Sequence, residues 1–263
     1  MALALRAAPP CILAILPKYL PMGEGKLGSE IAKSGMYANS RIVQSNQDAP
    51  HPRLHEIVSR HLHMPYRRVP SDAGRRAFES VVDRLREPFV LDAGCGTGAS
   101  TLTLAARFPQ MFVLGVDKSA TRLVVGQRLL AKDDGPRNAF LLHCELVDFW
   151  QLAAAAGLCC ARQYLLYPNP WPKAEQLKRR WHAHAVFADM LKLGGLVELR
   201  TNWRIYADEF VQALHIAGCA GRCAVFAPSQ PLSPFERKYG ASGHELRCCS
   251  ADLSDRAFRE GAA

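Results

Sequence analysis

The chain has 263 residues, of which 49% are apolar and 22% charged, a composition typical of a globular protein with a substantial core. Its formal net charge is +9, which suits a polyanionic partner such as nucleic acid or an anionic membrane surface. The cysteine count is nine, an odd number without a C-x-x-C pair, and it argues against a zinc ribbon or a secreted disulfide scaffold. We therefore expect reduced thiols in a cytoplasmic protein.

The first 35 residues contain one apolar segment, Cys11–Leu16, with prolines on both sides. This segment is too short to span a bilayer, and a signal peptide would conflict with the cysteine usage. We therefore predict a disordered tail over residues 1–35. No later stretch of the sequence predicts a transmembrane helix, so we expect no membrane association.

Residues 36–85 are predicted to form a basic helical arm, with helices at 54–62 and 71–85. The second helix begins with a Ser71-Asp72 cap. Charge runs usually face solvent, but so many arginines beside a basic domain also suit contact with phosphates, and both interpretations stay open. The arginines of the arm are Arg41, Arg53, Arg60, Arg67, Arg68, Arg75 and Arg76.

From Phe89 onward, apolar runs of strand length alternate with helical patterns, which is typical of an open α/β sheet. We predict strands near residues 89–92, 112–117, 139–143, 162–167, 196–201, 220–227 and 245–252. We predict helices at 99–107, 119–132, 148–156, 175–192 and 203–217. Because no helix is predicted between the last two strands, we expect them to pair in antiparallel fashion at one edge. The predicted α/β domain covers residues 86–255 and is followed by a tail at 256–263.

Residues 90–98, V-L-D-A-G-C-G-T-G, read as a buried strand that runs into a glycine-rich turn before a helix. A turn at this place binds nucleotide-like ligands in open α/β sheets. Gly94, Gly96 and Ala99 match the loose fingerprint G-x-G-x-x-G/A, so a dinucleotide such as NAD is one candidate. A third glycine, Gly98, closes the turn.

Two carboxylates favour a different cofactor. Asp92 precedes the turn, where it would repel a pyrophosphate but attract the amino group of S-adenosylmethionine. Asp117 ends the next predicted strand, where it suits ribose hydroxyls. The stretch resembles the first motif of class I S-adenosylmethionine-dependent methyltransferases, V-L-D-x-G-C-G-T-G. That resemblance implies a Rossmann-like fold with a seven-stranded, mostly parallel sheet and an antiparallel last strand.

The fourth predicted strand ends in L-L-Y-P-N-P-W-P-K, residues 165–173, and K-R-R-W-H follows at 178–182. Three prolines stiffen this loop at the ligand-binding edge of the sheet. A stiff loop with an aromatic ring and nearby cations suits a stacked base with its phosphates, whereas the alternative is a rigid loop around a core Trp171. The histidines are interpreted as solvated or RNA-facing rather than as metal ligands; they are His61, His63, His182 and His184.

Two later segments, T-N-W at 201–203 and S-P-F-E at 233–236, complete a pattern. Together with the earlier motifs they resemble the tRNA (guanine-N7)-methyltransferase family, whose signatures are similar to F-P-D-P-W-P-K, a K-R-R helix, T-D-W and T-x-[FY]-E. The resemblance covers residues 89–250. It implies N7 methylation of guanine 46 of tRNA, with S-adenosylmethionine as cofactor, tRNA as partner and no metal, and it leaves the oligomeric state open.

The resemblance also implies roles for individual residues. It implies that S-adenosylmethionine is bound by Asp92, Gly94, Gly96, Gly98, Asp117 and Glu145. It implies that Asn169 lies between the methyl donor and the base, and that the guanine is contacted by Lys173, Asn202, Ser233, Phe235 and Glu236, with Arg237 and Lys238 on a basic rim. The family has aspartate where this chain has Asn169 and Asn202, and threonine where it has Ser233.

Other interpretations remain open at the level of the sequence. The Asn169-Pro170-Trp171-Pro172 loop is also similar to the [N/D]-P-P-[Y/F/W] loop of methyltransferases that act on exocyclic or amide nitrogens, although Trp171 stands where that loop needs proline. A second alternative is an RNA-binding protein that kept the cofactor pocket without catalysis. A third is methylation of a small molecule.

Overall fold

The computed structural model describes residues 38–43, 45–64, 66–133 and 135–253. The predicted tails at 1–35 and 256–263 lie outside this range. In the part of the chain that is described, no helix is long and apolar enough to cross a membrane. Among the described residues no disulfide joins two cysteines, and most of these cysteines are buried.

A seven-stranded sheet forms the centre of the molecule, with the strand order β3-β2-β1-β4-β5-β7-β6. All neighbours pair in parallel except β7, which runs antiparallel to both β5 and β6. The predicted fold class, including the antiparallel last strand, is thereby confirmed. The strands are β1 Phe89–Ala93, β2 Val113–Asp117, β3 Ala139–His143, β4 Cys160–Leu166, β5 Leu196–Thr201, β6 Arg222–Phe226 and β7 Leu246–Asp252.

Eight α-helices accompany the sheet in the described residues. They are α1 Leu54–His63, α2 Asp72–Glu79, α3 Ala99–Arg107, α4 Ala120–Leu130, α5 Leu146–Ala155, α6 Phe187–Lys192, α7 Arg204–Ile216 and α8 Pro234–Ala241. The expectation that no helix separates the last two strands was wrong, because α8 lies between them. Its signals are local: the Ser233 hydroxyl accepts from the Glu236 N–H, and proline occupies the first turn.

Two predicted helices are broken in the structure. The segment 175–192 forms 3₁₀ helices over Ala174–Arg179 and Trp181–Ala183 before α6 begins. The segment 71–85 forms α2, capped by the Ser71 hydroxyl as predicted, and then a separate 3₁₀ helix over Val82–Leu85. Buried residues lie at both breaks, Val81 and Leu85 at one and Arg180 and His182 at the other, so tertiary contacts override helical periodicity there.

The arm helices pack into the same apolar core as the sheet. Leu54, Ile57 and Phe78 are buried in the large cluster that also contains residues of β1, β4 and β5. The buried Asp148 carboxylate on α5 holds the start of α2, since its Oδ2 accepts from the Ser71 hydroxyl at 2.6 Å. The arm is therefore fixed to the domain over its described length.

The strand order reverses between β1 and β4, since β2 and β3 continue on one side and β5 on the other. In open α/β sheets such a switch point opens a crevice at the carboxyl ends of the strands. The glycine turn follows β1 and the loop of Asn169 follows β4. The fold thus brings the two segments that the sequence singled out to adjacent strand ends.

Candidate active site

The glycine turn after β1 is a left-handed bend that requires glycine. Gly94, Gly96 and Gly98 have φ values of 78°, 60° and 79°. A side chain on Gly98 would also clash, because its Cβ would lie 2.7 Å from Leu141 Cδ1. The Gly94 N–H donates to the Val116 carbonyl at 2.8 Å, so the turn is held against β2. Gly94 is the exposed residue of the turn.

Asp92 lies beneath this turn and is 1% exposed. Its Oδ2 accepts from the hydroxyls of Ser100 at 2.6 Å and Thr101 at 2.8 Å. Burial raises the pKa of Asp92 to about 6, although the two hydroxyls oppose this rise. Among the described residues, no basic side chain forms an ion pair with it. A buried carboxylate without a cationic partner fits a ligand with an amino group.

The raised pKa predicts a pH dependence of stability without ligand. Folded Asp92 holds its proton more tightly than unfolded Asp92, so the free energy of unfolding should fall as pH rises from about 4 to about 6, by up to about 3 kcal/mol. The Asp92→Asn variant should lack this component, and urea unfolding of both proteins across the interval measures it. Equal slopes for the two proteins would contradict a raised pKa at Asp92.

Asp117 at the end of β2 is buried, with both carboxylate oxygens engaged. Its Oδ2 accepts from the Gly96 N–H at 2.9 Å, and its Oδ1 accepts from the Ser119 N–H at 2.9 Å. The half-exposed Arg122 adds an ion pair at 3.1 Å. Sequence reasoning missed Arg122, which lies in the first turn of α4 and has no motif of its own. Asp117 is therefore bonded directly to the glycine turn.

Glu145 stands at the start of α5, directly beyond β3. Its side chain is 50% exposed and lies 3.9 Å from Lys118 Nζ. Because β3 follows β2 in the sheet, Glu145 and Asp117 share one side of the glycine turn. The predicted cofactor residues are thus gathered along the ends of β1, β2 and β3.

The loop after β4 has a strained backbone on both sides of Asn169. Tyr167 has a φ of 52° and Trp171 a φ of 45°, both in the left-handed region that non-glycine residues rarely adopt. Each such residue costs about 1–3 kcal/mol, and strain of this kind concentrates at functional sites. The exposed Asn169 closes the bend, because its Oδ1 accepts from the Trp171 N–H at 3.3 Å.

The Trp171 ring is partly exposed and does not belong to the apolar core, which contradicts the alternative of a rigid loop around a core tryptophan. The Arg179 guanidinium lies 4.8 Å from the centre of the ring. Lys173 is exposed at the end of the same loop. An aromatic ring and cations therefore stand together on this loop, as the sequence predicted.

Arg180 corrects the sequence interpretation, which grouped it with the phosphate-binding cations. Its side chain is 0% exposed and forms an ion pair with Glu209 on α7. His182 is also fully buried, so its interpretation as a solvated or RNA-facing histidine was wrong. Glu209 on α7 is bonded to both residues, and a local basic run does not reveal this distant partner.

At the end of β5, Asn202 is buried and its amide contacts His244 Nδ1 at 2.9 Å. A cavity of about 420 Å³ lies beside it and is lined by Ile42, Val43 and Gln47 of the arm and by Trp203 and Asp208. No hydrogen bond joins Asn202 to Asn169 in the described structure. Asn202 thus lies beside the arm, at the end of the strand that pairs with β4.

The S-P-F-E segment forms the start of α8. Ser233 caps the helix, and Glu236 is fully buried, with Oε1 accepting from Arg200 at 2.7 Å and Oε2 from the Leu232 N–H at 3.3 Å. Burial raises the pKa of Glu236, and the attraction of Arg200 does not fully offset this. Phe235 is 51% exposed. In this conformation the Ser233 hydroxyl and the Glu236 carboxylate hold the start of α8. Direct contacts of Ser233, Phe235 and Glu236 with guanine therefore stay predictions.

Comparisons with known proteins agree with this geometry. A family model described as "Putative methyltransferase" matches residues 86–224. The tRNA (guanine-N(7)-)-methyltransferase of Leifsonia xyli subsp. xyli is 31% identical over 170 residues, which are 60% of this chain and 73% of that protein. The enzyme of the same name from Stutzerimonas stutzeri is 28% identical over 187 residues, which are 65% of this chain and 74% of that protein.

The fold also has a solved counterpart. A structure described as the 16S rRNA methyltransferase KamB superimposes with a TM-score of 0.50 at 16% sequence identity, covering 70% of this chain and 94% of that chain. The sheet order and the glycine turn at its switch point define a class I methyltransferase. Within this class, the chain belongs to the tRNA (guanine-N7)-methyltransferase family as a divergent member.

Proposed function

We propose that this chain transfers the methyl group of S-adenosylmethionine to N7 of a guanine in tRNA. The observation that carries the proposal is the pairing of two segments at the switch point, the glycine turn with buried Asp92 after β1 and the strained loop of Asn169 after β4. One segment suits a cationic nucleoside cofactor, and the other suits a base. The family membership supports the same reaction.

On the cofactor side, S-adenosylmethionine supplies an electrophilic methyl group when bound. Asp92 would accept a hydrogen bond from the amino group of the methionine part of the cofactor. This bond would lower the raised pKa of Asp92. The backbone of Gly94, Gly96 and Gly98 allows a close approach. Asp117 would bind the ribose hydroxyls, and to do so its carboxylate must give up a bond to Arg122 or to the glycine turn. Glu145 would lie toward the adenine.

On the substrate side, attack by guanine N7 uses an in-plane lone pair, and no proton leaves the base. The residues of this chain therefore act by positioning the base and stabilising the cationic product. Asn169 would accept from the guanine N1–H or amino group. Lys173, Asn202, Ser233, Phe235 and Glu236 would surround the base, with Ser233 and Glu236 acting chiefly through the position of α8.

The finer parts of the proposal are the nucleotide and the compartment. We take the nucleotide to be guanine 46 of tRNA, as the family resemblance implies, and the compartment to be the cytoplasm. Nucleoside mass spectrometry of tRNA incubated with the purified protein tests the reaction, and sequencing of the methylated site tests the position. We expect 7-methylguanosine as the product. A methyl group on an exocyclic nitrogen would favour the alternative of amide or exocyclic methylation. A methylated product formed only from small molecules would favour small-molecule methylation.

The cofactor assignment has its own test. The Asp117→Ala variant should bind S-adenosylmethionine about 10- to 100-fold more weakly, because it loses charge-assisted hydrogen bonds of about 1.5–3 kcal/mol. Titration calorimetry measures this loss, with Asp83→Ala as the matched control, since Asp83 is an exposed aspartate in the arm. Unchanged affinity in Asp117→Ala, or binding of NAD by the parent protein, would refute the assignment.

A further inference from the structure

The bend between Asn169 and Lys173 is held from below by a buried arginine. Arg180 donates from Nε to the Trp171 carbonyl at 3.2 Å and from Nη2 to the same oxygen at 2.9 Å. Both bonds end on a residue whose backbone is left-handed. A guanidinium fork of this kind fixes the direction of a carbonyl, which a single donor does not.

The fork is itself fixed from three sides. Its Nη1 pairs with Glu209 on α7, and its Nη2 donates to Gln47 Oε1 in the arm at 2.6 Å. Glu209 is fully buried, and its second oxygen accepts from the His51 N–H at 3.0 Å. The guanidinium therefore joins the loop, α7 and the arm, and its donors are satisfied within the protein.

His182 completes this cluster. Its Nε2 lies 3.1 Å from Glu209 Oε2, and its ring packs edge-on against Tyr206 with centroids 4.8 Å apart. Burial lowers the pKa of His182, which leaves the ring neutral and its Nε2–H as the donor. Burial raises the pKa of Glu209, but the bonds from His182 and Arg180 outweigh it and hold the pKa below its usual value. Glu209 is thus the buried anion that keeps Arg180 in place.

We propose that Arg180 is a positioning residue of the methyl-transfer reaction, which holds Asn169 and Trp171 at the substrate by binding the Trp171 carbonyl. This inference rests on the proposed function. The inference places Arg180, the second arginine of the K-R-R run, inside the protein beneath the loop. Its neighbour Arg179 is on the surface, over the Trp171 ring. Neighbouring arginines thus have different roles.

The test uses two variants, each of which removes the Arg180 guanidinium. The Arg180→Lys variant keeps a cation beside Glu209 but has one ammonium in place of the planar fork. The Arg180→Met/Glu209→Gln double variant removes the buried charges together, so that no unpaired carboxylate remains to unfold the chain. The matched control is Arg86→Lys, which alters an exposed arginine paired with Asp83.

In both fork variants we expect the turnover number on saturating tRNA to fall at least about tenfold, since small misplacements of a reacting group reduce rates this strongly. Affinity for S-adenosylmethionine should stay within about twofold of the parent, because the cofactor side is separate. Hydrogen exchange of the Trp171 and Lys173 amides, which donate to Asn169 Oδ1 and Gln176 Oε1, should accelerate in both variants and not in the control. The last measurement does not depend on activity.

A folded Arg180→Lys variant with parental turnover and parental hydrogen exchange in the loop would overturn the inference. If the double variant fails to fold, the lysine variant decides alone. A parent protein that forms no 7-methylguanosine contradicts the proposed function instead. In that case the exchange of the Trp171 and Lys173 amides still shows whether Arg180 orders the loop, and unchanged exchange would overturn the inference.

Discussion

The Asn169→Ala variant is expected to lose about 100-fold in turnover number on tRNA while it keeps its affinity for S-adenosylmethionine, as displacement of a reacting group by about 1 Å reduces rates on this scale. Asn169 Oδ1 accepts from the Trp171 N–H and so closes a bend with strained residues on either side. Its removal takes away both the bend and the acceptor for the guanine. Single-turnover assays with a labelled methyl donor measure the effect.

The Asn169→Asp variant separates these two roles. An aspartate still accepts from the Trp171 N–H, so the bend remains, and its charge lies near the developing cation on the base. Stabilisation of that charge acts only on the transition state, so the turnover number should equal or exceed that of the parent. Activity on tRNA that is indifferent to Asn169→Ala would refute the placement of the reacting base at this loop.

The parts of this protein that the sequence predicted are those in which local pattern and tertiary contact agree. The strands are five to seven residues long, and all of their bounds were predicted within two residues. The glycine turn was predictable because its three glycines have positive φ values, which other residues rarely adopt. Asp92 was singled out by charge alone, and the structure places it without a basic partner among the described residues.

The parts that the sequence missed depend on partners far along the chain. Arg180 and Glu209 are separated by 29 positions, and nothing in the K-R-R run distinguishes the arginine that turns inward. Helix α8 was overlooked because its short amphipathic pattern sits between two strands, although Ser233 and Pro234 are start signals. The arm was interpreted as a dense cationic surface, but Arg53 and Arg60 both pair with Glu56, and Arg68 pairs with Asp148.

These pairs offset part of the positive charge of the arm, so we expect the rim of the crevice to carry most of the phosphate contacts. Five cations lie on the loop of Asn169, on the 3₁₀ helix after this loop and on α8. All three segments lie at the edge of the sheet where the base would be bound. Four of them are exposed and Lys238 is partly exposed. The rim consists of Lys173, Lys178, Arg179, Arg237 and Lys238.

Replacing all five rim cations by glutamine should weaken tRNA binding about 100- to 1000-fold at physiological salt, because each phosphate that the protein no longer binds keeps its counterions. The slope of log affinity against log salt should become shallower by about 0.7–0.9 for each phosphate left unbound. Filter binding at several salt concentrations measures both quantities. Affinity for S-adenosylmethionine should not change.

The matched control replaces five cations at the opposite edge of the sheet, so that net charge falls equally while the crevice is untouched. These are Arg86, Arg107, Arg128, Lys132 and Arg137, which are all exposed. If binding followed net charge alone, the two variants would lose affinity to the same extent, and the rim would have no special role. We expect the control to stay within about tenfold of the parent, because charges more than a Debye length from the RNA are screened at this salt concentration. The difference between the two variants therefore measures where on the surface the tRNA lies.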